Sequence, residues 1–276
     1  MYQDIVGQLL FYAESAVKNP VESTHHIRKK LKFLRAFVKL LKGLKEPEET
    51  EMVNLFLRDS GRVFSTLRDA HVRQVLLQEL NHQFTNKPYL KTLKELQEVN
   101  RSIIKETEYS LLTEKNDFIA FKDLIENENQ LIEYFSLDNP DPSQILAVFT
   151  MSYSKSSHAY NNSVNSTDPN LLHEWRKRLK DVQYQFELIF DHLNPEIQKL
   201  YLTIQDLCNV LGEINDLEMI IRWISENRHQ LTSGEEFISE FLGELTIQKE
   251  SRLEVATING SNLYQFSPDR FKEYVN

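Results

Sequence analysis

The chain contains a single cysteine, Cys208. No internal disulfide can staple it, and a reducing compartment is the simplest setting for it. Cys208 lies in an apolar stretch and reads as a buried small hydrophobe rather than a nucleophile. Glycine and proline are also scarce, seven and eight in 276 residues. A sheet-rich chain of this length would need many more turn residues, so the scarcity favours long helices. It also leaves no glycine-rich loop to cradle a phosphate. No apolar run approaches the length of a membrane span. Residues 1–20 carry Asp4 and no basic leader, which is unlike a signal peptide. The expected setting is cytoplasmic, without a membrane partner.

Acid is abundant. Asp and Glu total 41 against 32 Lys and Arg, a formal net charge of −9. That balance opposes nonspecific coating of nucleic acid by the whole surface, but not a local basic site. Residues 25–45 hold eight Lys or Arg and no acid, so the remainder stands at −17. The hydrophobic content of 41% is ample for a core.

Helical periodicity runs through nearly all the chain. Ile27, Leu31, Leu34, Val38 and Leu41 recur at steps of four, three, four and three, an apolar stripe on an amphipathic helix. That helix is expected to start near Glu22 to Thr24, with Pro20 upstream, and to end by Gly43. Trp175, Leu179, Val182, Phe186 and Ile189 repeat the spacing. The second helix is expected to open at Thr167 or Asp168, with Pro169 at its first position, and to end by Pro195. The polar run 161–166 before it reads as a loop. Further long helical stretches run from Tyr89 to Glu114 and from Glu235 to Val255, and no convincing alternating strand appears.

Displaced by one residue from the first apolar stripe runs a basic one: Arg28, Lys32, Arg35, Lys39 and Lys42, with His25 at its head. One residue is about 100° around a helix, and Arg28 to Lys42 spans roughly 20 Å. A row of cations suits a linear polyanion better than a single phosphate. Its members repel one another when empty, and bound phosphates would relieve that repulsion. Arg offers a planar fork, Lys a point charge and His a proton-dependent contact.

The device repeats. Shifting the chain by 148 residues carries His25, Arg28, Lys29 and Lys32 onto His173, Arg176, Lys177 and Lys180. Gln183 and Glu187 stand where Arg35 and Lys39 stand, and Asp181 adds negative charge nearby. A second match aligns residues 64–72 with 211–219 at an offset of 147. A lone basic helix face is usually just solvated, and a lone histidine usually structural. The duplication on an acidic background reverses those odds. The expected architecture is all-α, two duplicated helical halves forming one compact domain with a basic central cleft or pore. The halves are about 1–138 and 143–276, joined at 137–142, where an Asn-Pro-Asp-Pro run cannot continue a helix.

These residues resemble the conserved-histidine α-helical domain family, CHAD. Its pattern of His, Arg three residues later and further cations on the same face reads here as His25, Arg28, Lys29, Lys32, Arg35 and again as His173, Arg176, Lys177, Lys180, Tyr184. Arg68-Asp69 and the run from Leu211 to Asp216 look like the family's second motif in each half. The resemblance covers about Tyr2 to Val255. It implies non-catalytic binding of inorganic polyphosphate through a basic cleft lined by His25, Arg28, Lys29, Lys32, Arg35, Lys39, His173, Arg176, Lys177 and Lys180, with no cofactor and no metal. Lys42, Arg68 and Arg73 are further candidates for the cleft. Asp69 and Asp216 would each orient a basic side chain or cap a helix. Polyphosphate granules and a polyphosphate-metabolising enzyme are the partners this reading brings with it.

Three other readings compete. Some relatives carry a triphosphate-tunnel phosphatase, whose Glu-x-Glu-x-Lys signature is absent: residues 106–110 put Ser110 where Lys is needed. A di-iron bundle needs paired Glu-x-x-His motifs inside a bundle, and Glu22/His25, Glu79/His82 and Glu226/His229 fall near expected helix ends. A single-stranded nucleic-acid module would interleave aromatics with its cations, but Trp175 lies on the apolar stripe. Polyphosphate binding is expected to tighten as pH falls if the histidines take up protons.

Overall fold

The structure, a computed structural model, describes residues 2–85, 87–127, 129–136, 140–166, 168–232 and 234–275. The expected joint at Leu137, Asp138 and Asn139 and the Thr167 alternative for a helix start lie outside these. Among the described residues the fold is all-α, with no strand. The helices are α1 (Tyr2–Ser15), α2 (Pro20–Leu40), α3 (Pro47–Arg62), α4 (Ser65–Gln83), α5 (Lys87–Tyr109), α6 (Asp117–Glu126), α7 (Asn129–Phe135), α8 (Pro142–Val164), α9 (Pro169–Ile189), α10 (Pro195–Gln198), α11 (Leu200–Asn227), α12 (Glu235–Tyr264) and α13 (Pro268–Val275). A π-helical turn, Ser110–Glu114, continues α5.

Local chemistry explains the starts. An Asx residue followed by proline opens three helices. Asp141, Asp168 and Asn194 each accept the backbone N–H two residues on, at 2.9 Å, with proline at the first helical position. The side chain satisfies an orphan donor, and proline has none to lose. Pro195 therefore opens α10, and α9 ends earlier, running through a short 3-10 turn at Phe190–His192. Pro20 likewise belongs to α2 itself. After α2, Gly43 takes a φ of 106°, a left-handed conformation that glycine adopts without strain. Residues 161–164 of the expected polar loop are the last turn of α8. Ser163 Oγ donates to the Tyr160 carbonyl and Asn165 Nδ2 to the Asn161 carbonyl, so polar side chains serve the helix end.

Two compact units form. The first comprises Met1–Leu34, Val53–Leu137 and Glu218–Thr246; the second comprises Arg35–Met52, Asp138–Leu217 and Ile247–Asn276. Each takes most of its chain from one sequence half and a segment from the other. In the first unit α1 packs on α6 and α4 on α5, around Leu9, Ile27, Leu31, Phe64 and Leu67, none more than 1% exposed. In the second unit α8 lies along α9 and α13 packs on α8. Phe149, Tyr153, Trp175, Phe186 and Phe271 fill that core. Both apolar stripes read from the sequence are buried along their whole length.

α12 approaches this second core through Gly260. A Cβ there would lie 2.6 Å from Tyr160 Cε2 and 2.8 Å from Trp175 Cζ2. Tyr264, one turn on, accepts from Trp175 Nε1 at 3.1 Å and shares a 2.6 Å hydrogen bond with Ser156. Tyr153 donates to the carbonyls of Leu263 and Phe266. Burying these hydroxyls without partners would cost roughly 1–3 kcal/mol each, so the network fixes how α12 seats.

Candidate functional site: two clusters of cations

Burying one flank of α2 in apolar core leaves the adjacent flank to carry charge. Residues 20–34 of α2 belong to the first unit and 35–40 to the second.

In the first unit the half-buried His25 is the centre. Its pKa lies at about 4, lowered first by burial and then by Arg68, His26, Lys29 and His71, all of which act to keep the proton off. Arg28 is half-buried beside it. Its Nη1 donates to Ser65 Oγ at 2.7 Å and to the Gly61 carbonyl, which pins it where α3 gives way to α4. Burial pushes its guanidinium down; Asp69 acts the other way and Arg68 adds to the burial. Its Nε is buried with no hydrogen-bond partner among the described residues. Arg68 and His71 lie one turn apart on α4 and meet through Arg68 Nη1 and His71 Nδ1 at 3.4 Å. Burial and then Arg68 lower the His71 pKa. His26 stacks on Tyr12, with ring centroids 4.3 Å apart, and comes within 3.9 Å of Glu22. Lys29 and Lys32 are exposed.

Asp69 acts on two arginines. Its charge favours the protonated forms of both Arg28 and Arg73. Arg73 itself is not a member of the cluster. It is 8% exposed, donates to Asn100 Oδ1 at 3.0 Å and lies over the Trp223 ring at 5.0 Å. Position on α4 decides this: His71 follows Arg68 by three residues and shares its face, whereas Arg73 follows by five and turns inward.

The second unit gathers the rest of the α2 stripe with the cations of α9. Lys39 Nζ donates to both carboxylate oxygens of Asp181, at 2.7 and 2.6 Å. Burial lowers the Lys39 pKa most; Asp181 opposes that shift, and Arg35 and Lys177 add to it. Lys177 also reaches Glu174 at 3.1 Å. Arg176 is half-buried, and its Nε, like that of Arg28, is buried without a partner among the described residues. Lys180 donates to Gln183 Oε1 at 2.8 Å and lies 5.6 Å above the Tyr184 ring. Gln183 in turn donates to Glu187, which also accepts from Tyr201 at 3.0 Å. Burial pushes the Tyr184 hydroxyl up to about 12. Burial likewise pushes the Cys208 thiol to about 12, and it is 1% exposed, an inert core position. His173 and Lys42 are exposed. Asn215 donates to Asp216 at 3.3 Å, and Glu213 of the same motif pairs with Arg252 at 2.8 Å.

Among the cations here the sequence marks His25, Arg28, Lys39, Arg68, Arg176, Lys177 and Lys180, but not how they are shared out. It missed His71, whose signal was its i+3 spacing from Arg68, and it missed that Asp181 would clasp Lys39, a contact between residues 142 apart in sequence. Trp175 is fully buried, leaving no face on which a base could stack. Among the described residues no three His, Cys, Asp or Glu come together to hold a metal. No helix among them is long and apolar enough to cross a membrane.

Fold and clusters together define an all-α protein that carries grouped His, Arg and Lys side chains on paired motif helices. The CHAD domain model matches residues 3–225, and the chain belongs to that family. Among solved structures it is similar to the crystal structure of the CHAD domain from the plant Ricinus communis. The TM-score is 0.70 at 16% identity, over 95% of this chain and 88% of that one. At that identity the likeness is one of fold. No curated protein matches the chain by sequence.

Proposed function

We propose that the protein binds inorganic polyphosphate through these cation clusters and does not turn it over. The observation that carries this reading is the setting of His25. Burial disfavours its proton most, and Arg68, His26, Lys29 and His71 all act in the same direction, so cationic groups are gathered around a half-buried imidazole. A bound polyanion reverses that balance, because each phosphoryl oxygen accepts from Arg, Lys and protonated His and favours their charged forms. Arg28 and Arg176, related by the 148-residue offset, support the same reading. Both carry a half-buried guanidinium whose Nε has no hydrogen-bond partner among the described residues. Membership of the CHAD family makes polyphosphate the expected ligand. On this reading the two motif helices are copies of one element, with Gln183 and Glu187 in the second where the first has Arg35 and Lys39. Cytoplasmic polyphosphate granules are the setting this function implies.

A competition titration tests it. Labelled long-chain polyphosphate is bound to the wild type and to the Arg28→Glu/Arg176→Glu double variant, with triphosphate, single-stranded RNA and heparin as competitors. The expected result is tight binding that the double reversal removes and RNA displaces poorly, with no release of inorganic phosphate. Equal displacement by every polyanion would reduce the clusters to a generic basic surface, and no binding would return them to solvated helix faces.

A further inference from the structure

The second cluster already holds an anion of its own, the Asp181 carboxylate. Asp181 places both oxygens on Lys39 Nζ, at 2.7 and 2.6 Å, in a pair whose side chains are only 29% and 17% exposed. Arg35 and Lys177 are close enough for their charges to act on the same ammonium. Two oxygens of one anion, aimed at a lysine with further cations around it, is the arrangement a phosphate would adopt there. From this geometry, and resting on the polyphosphate reading, we infer that Asp181 is a specificity-determining residue. It is a tethered internal anion that occupies Lys39 and screens the cluster against short phosphates.

The physical argument is one of competition. Asp181 is held by α9 next to Lys39, so it competes at a high effective concentration that no bulk ligand has to match elsewhere. A short anion such as triphosphate must displace this carboxylate, or bind beside it against its repulsion, with few other contacts to offset the loss. A long chain takes hold of Arg176, Lys177 and Arg35 as well. With those contacts in hand it displaces Asp181 from Lys39, and the same carboxylate costs it a smaller share of its binding energy. Neighbouring residues reinforce the effect. Gln183 engages Lys180 and is itself bonded to Glu187, so a second lysine of the cluster also has a side-chain partner to give up. The first copy of the motif has cations where Gln183 and Glu187 stand, and Phe33 at the position matching Asp181.

The experiment compares the wild type with Asp181→Asn, an isosteric change that removes the charge, using triphosphate and long-chain polyphosphate as probes. The expected result is about a tenfold gain in triphosphate affinity, as for one charge-assisted contact released, with a smaller gain for the long chain. Discrimination between the two therefore narrows. Unchanged or weaker triphosphate binding by folded Asp181→Asn overturns the inference and leaves Asp181 as a structural tie between α2 and α9. A measurement on the wild type covers a variant that fails to fold. Carbodiimide labelling of the Asp181 carboxyl, followed by mass spectrometry, should rise severalfold on saturation with long-chain polyphosphate and not with triphosphate at equal phosphate concentration. Labelling that does not change with the long chain overturns the inference. If wild type and variant both fail to bind any polyphosphate, the proposed function and the role of Asp181 fall together. If the wild type binds and the ratio stays fixed, only the role of Asp181 falls.

Discussion

Folding changes the acidity of His25. Its ordinary value of 6.5 falls to about 4 in the folded protein. Between those limits the unfolded chain holds a proton that the folded one does not. Stability from this group is therefore full above the unfolded value and is lost as pH falls from 6.5 towards 4. Because half the ring still meets solvent, the loss is roughly 1–2 kcal/mol, well under what the unscreened shift would give. His71 moves in the same direction. His25→Gln should flatten the pH dependence of the urea midpoint in this window; an unaltered profile would show that His25 is not its source. Polyphosphate bound as proposed would work against the shift, since anions raise the pKa of a cation they touch. Binding should then take up protons and tighten as pH falls. The tightening begins below the pKa of the bound histidine rather than at 6.5 itself. On the polyphosphate reading, His25 is neutral at pH 8 and arginine and lysine would make the contacts.

At the scale of elements, the helix pair α8 and α9 and the α12 segment that seats on it decide whether the second cluster is presented at all. Trp175, Leu179, Val182 and Phe186 anchor one side of α9, which is why Arg176, Lys177 and Lys180 emerge on the other. α12 comes close only because Gly260 has no side chain. A methyl group there would meet two aromatic rings with no flexible end to move aside. Gly260→Ala should destabilise the protein by about 2 kcal/mol through overpacking, even though alanine is the better helix former by up to about 1 kcal/mol. The check is the urea midpoint at constant slope. A neutral or stabilising result would mean that Tyr160 and Trp175 can shift, and that the α12 contact is looser than the hydrogen bonds of Tyr264 imply.

For the whole molecule, charge is the governing quantity. Outside residues 25–45 the chain stands at −17, so most of the sequence carries a net charge that repels a polyanion. That background disfavours indiscriminate association and leaves binding dependent on a few Lys and Arg contacts. Binding should be steeply sensitive to salt. On the counterion slope known for DNA, used as an analogy, affinity for long-chain polyphosphate falls about a hundredfold between roughly 50 and 200 mM salt. A titration series in sodium chloride measures it, and a flat response would point to contacts other than ion pairing.

The sequence by itself determined the helices, the buried stripes and the identity of the cations. These depend on local spacing: the 4-3-4-3 step that buries Ile27 to Leu41 also sets Arg28 to Lys42 beside it, and a capping Asx side chain before proline starts the helices at Pro142, Pro169 and Pro195. The sequence also exposed the paired motifs, because a shift of 148 residues needs no structure to be seen. Only the tertiary structure decided which cations keep company. Whether Arg68 rather than Arg73 joins His25, whether Lys39 faces water or Asp181, and whether Lys180 is engaged by Gln183 depend on how helices distant in the chain pack. No periodicity within one helix encodes a contact with another. Burial, which moves His25 by more than any single neighbour does, is likewise a property of the assembled core and not of the residue.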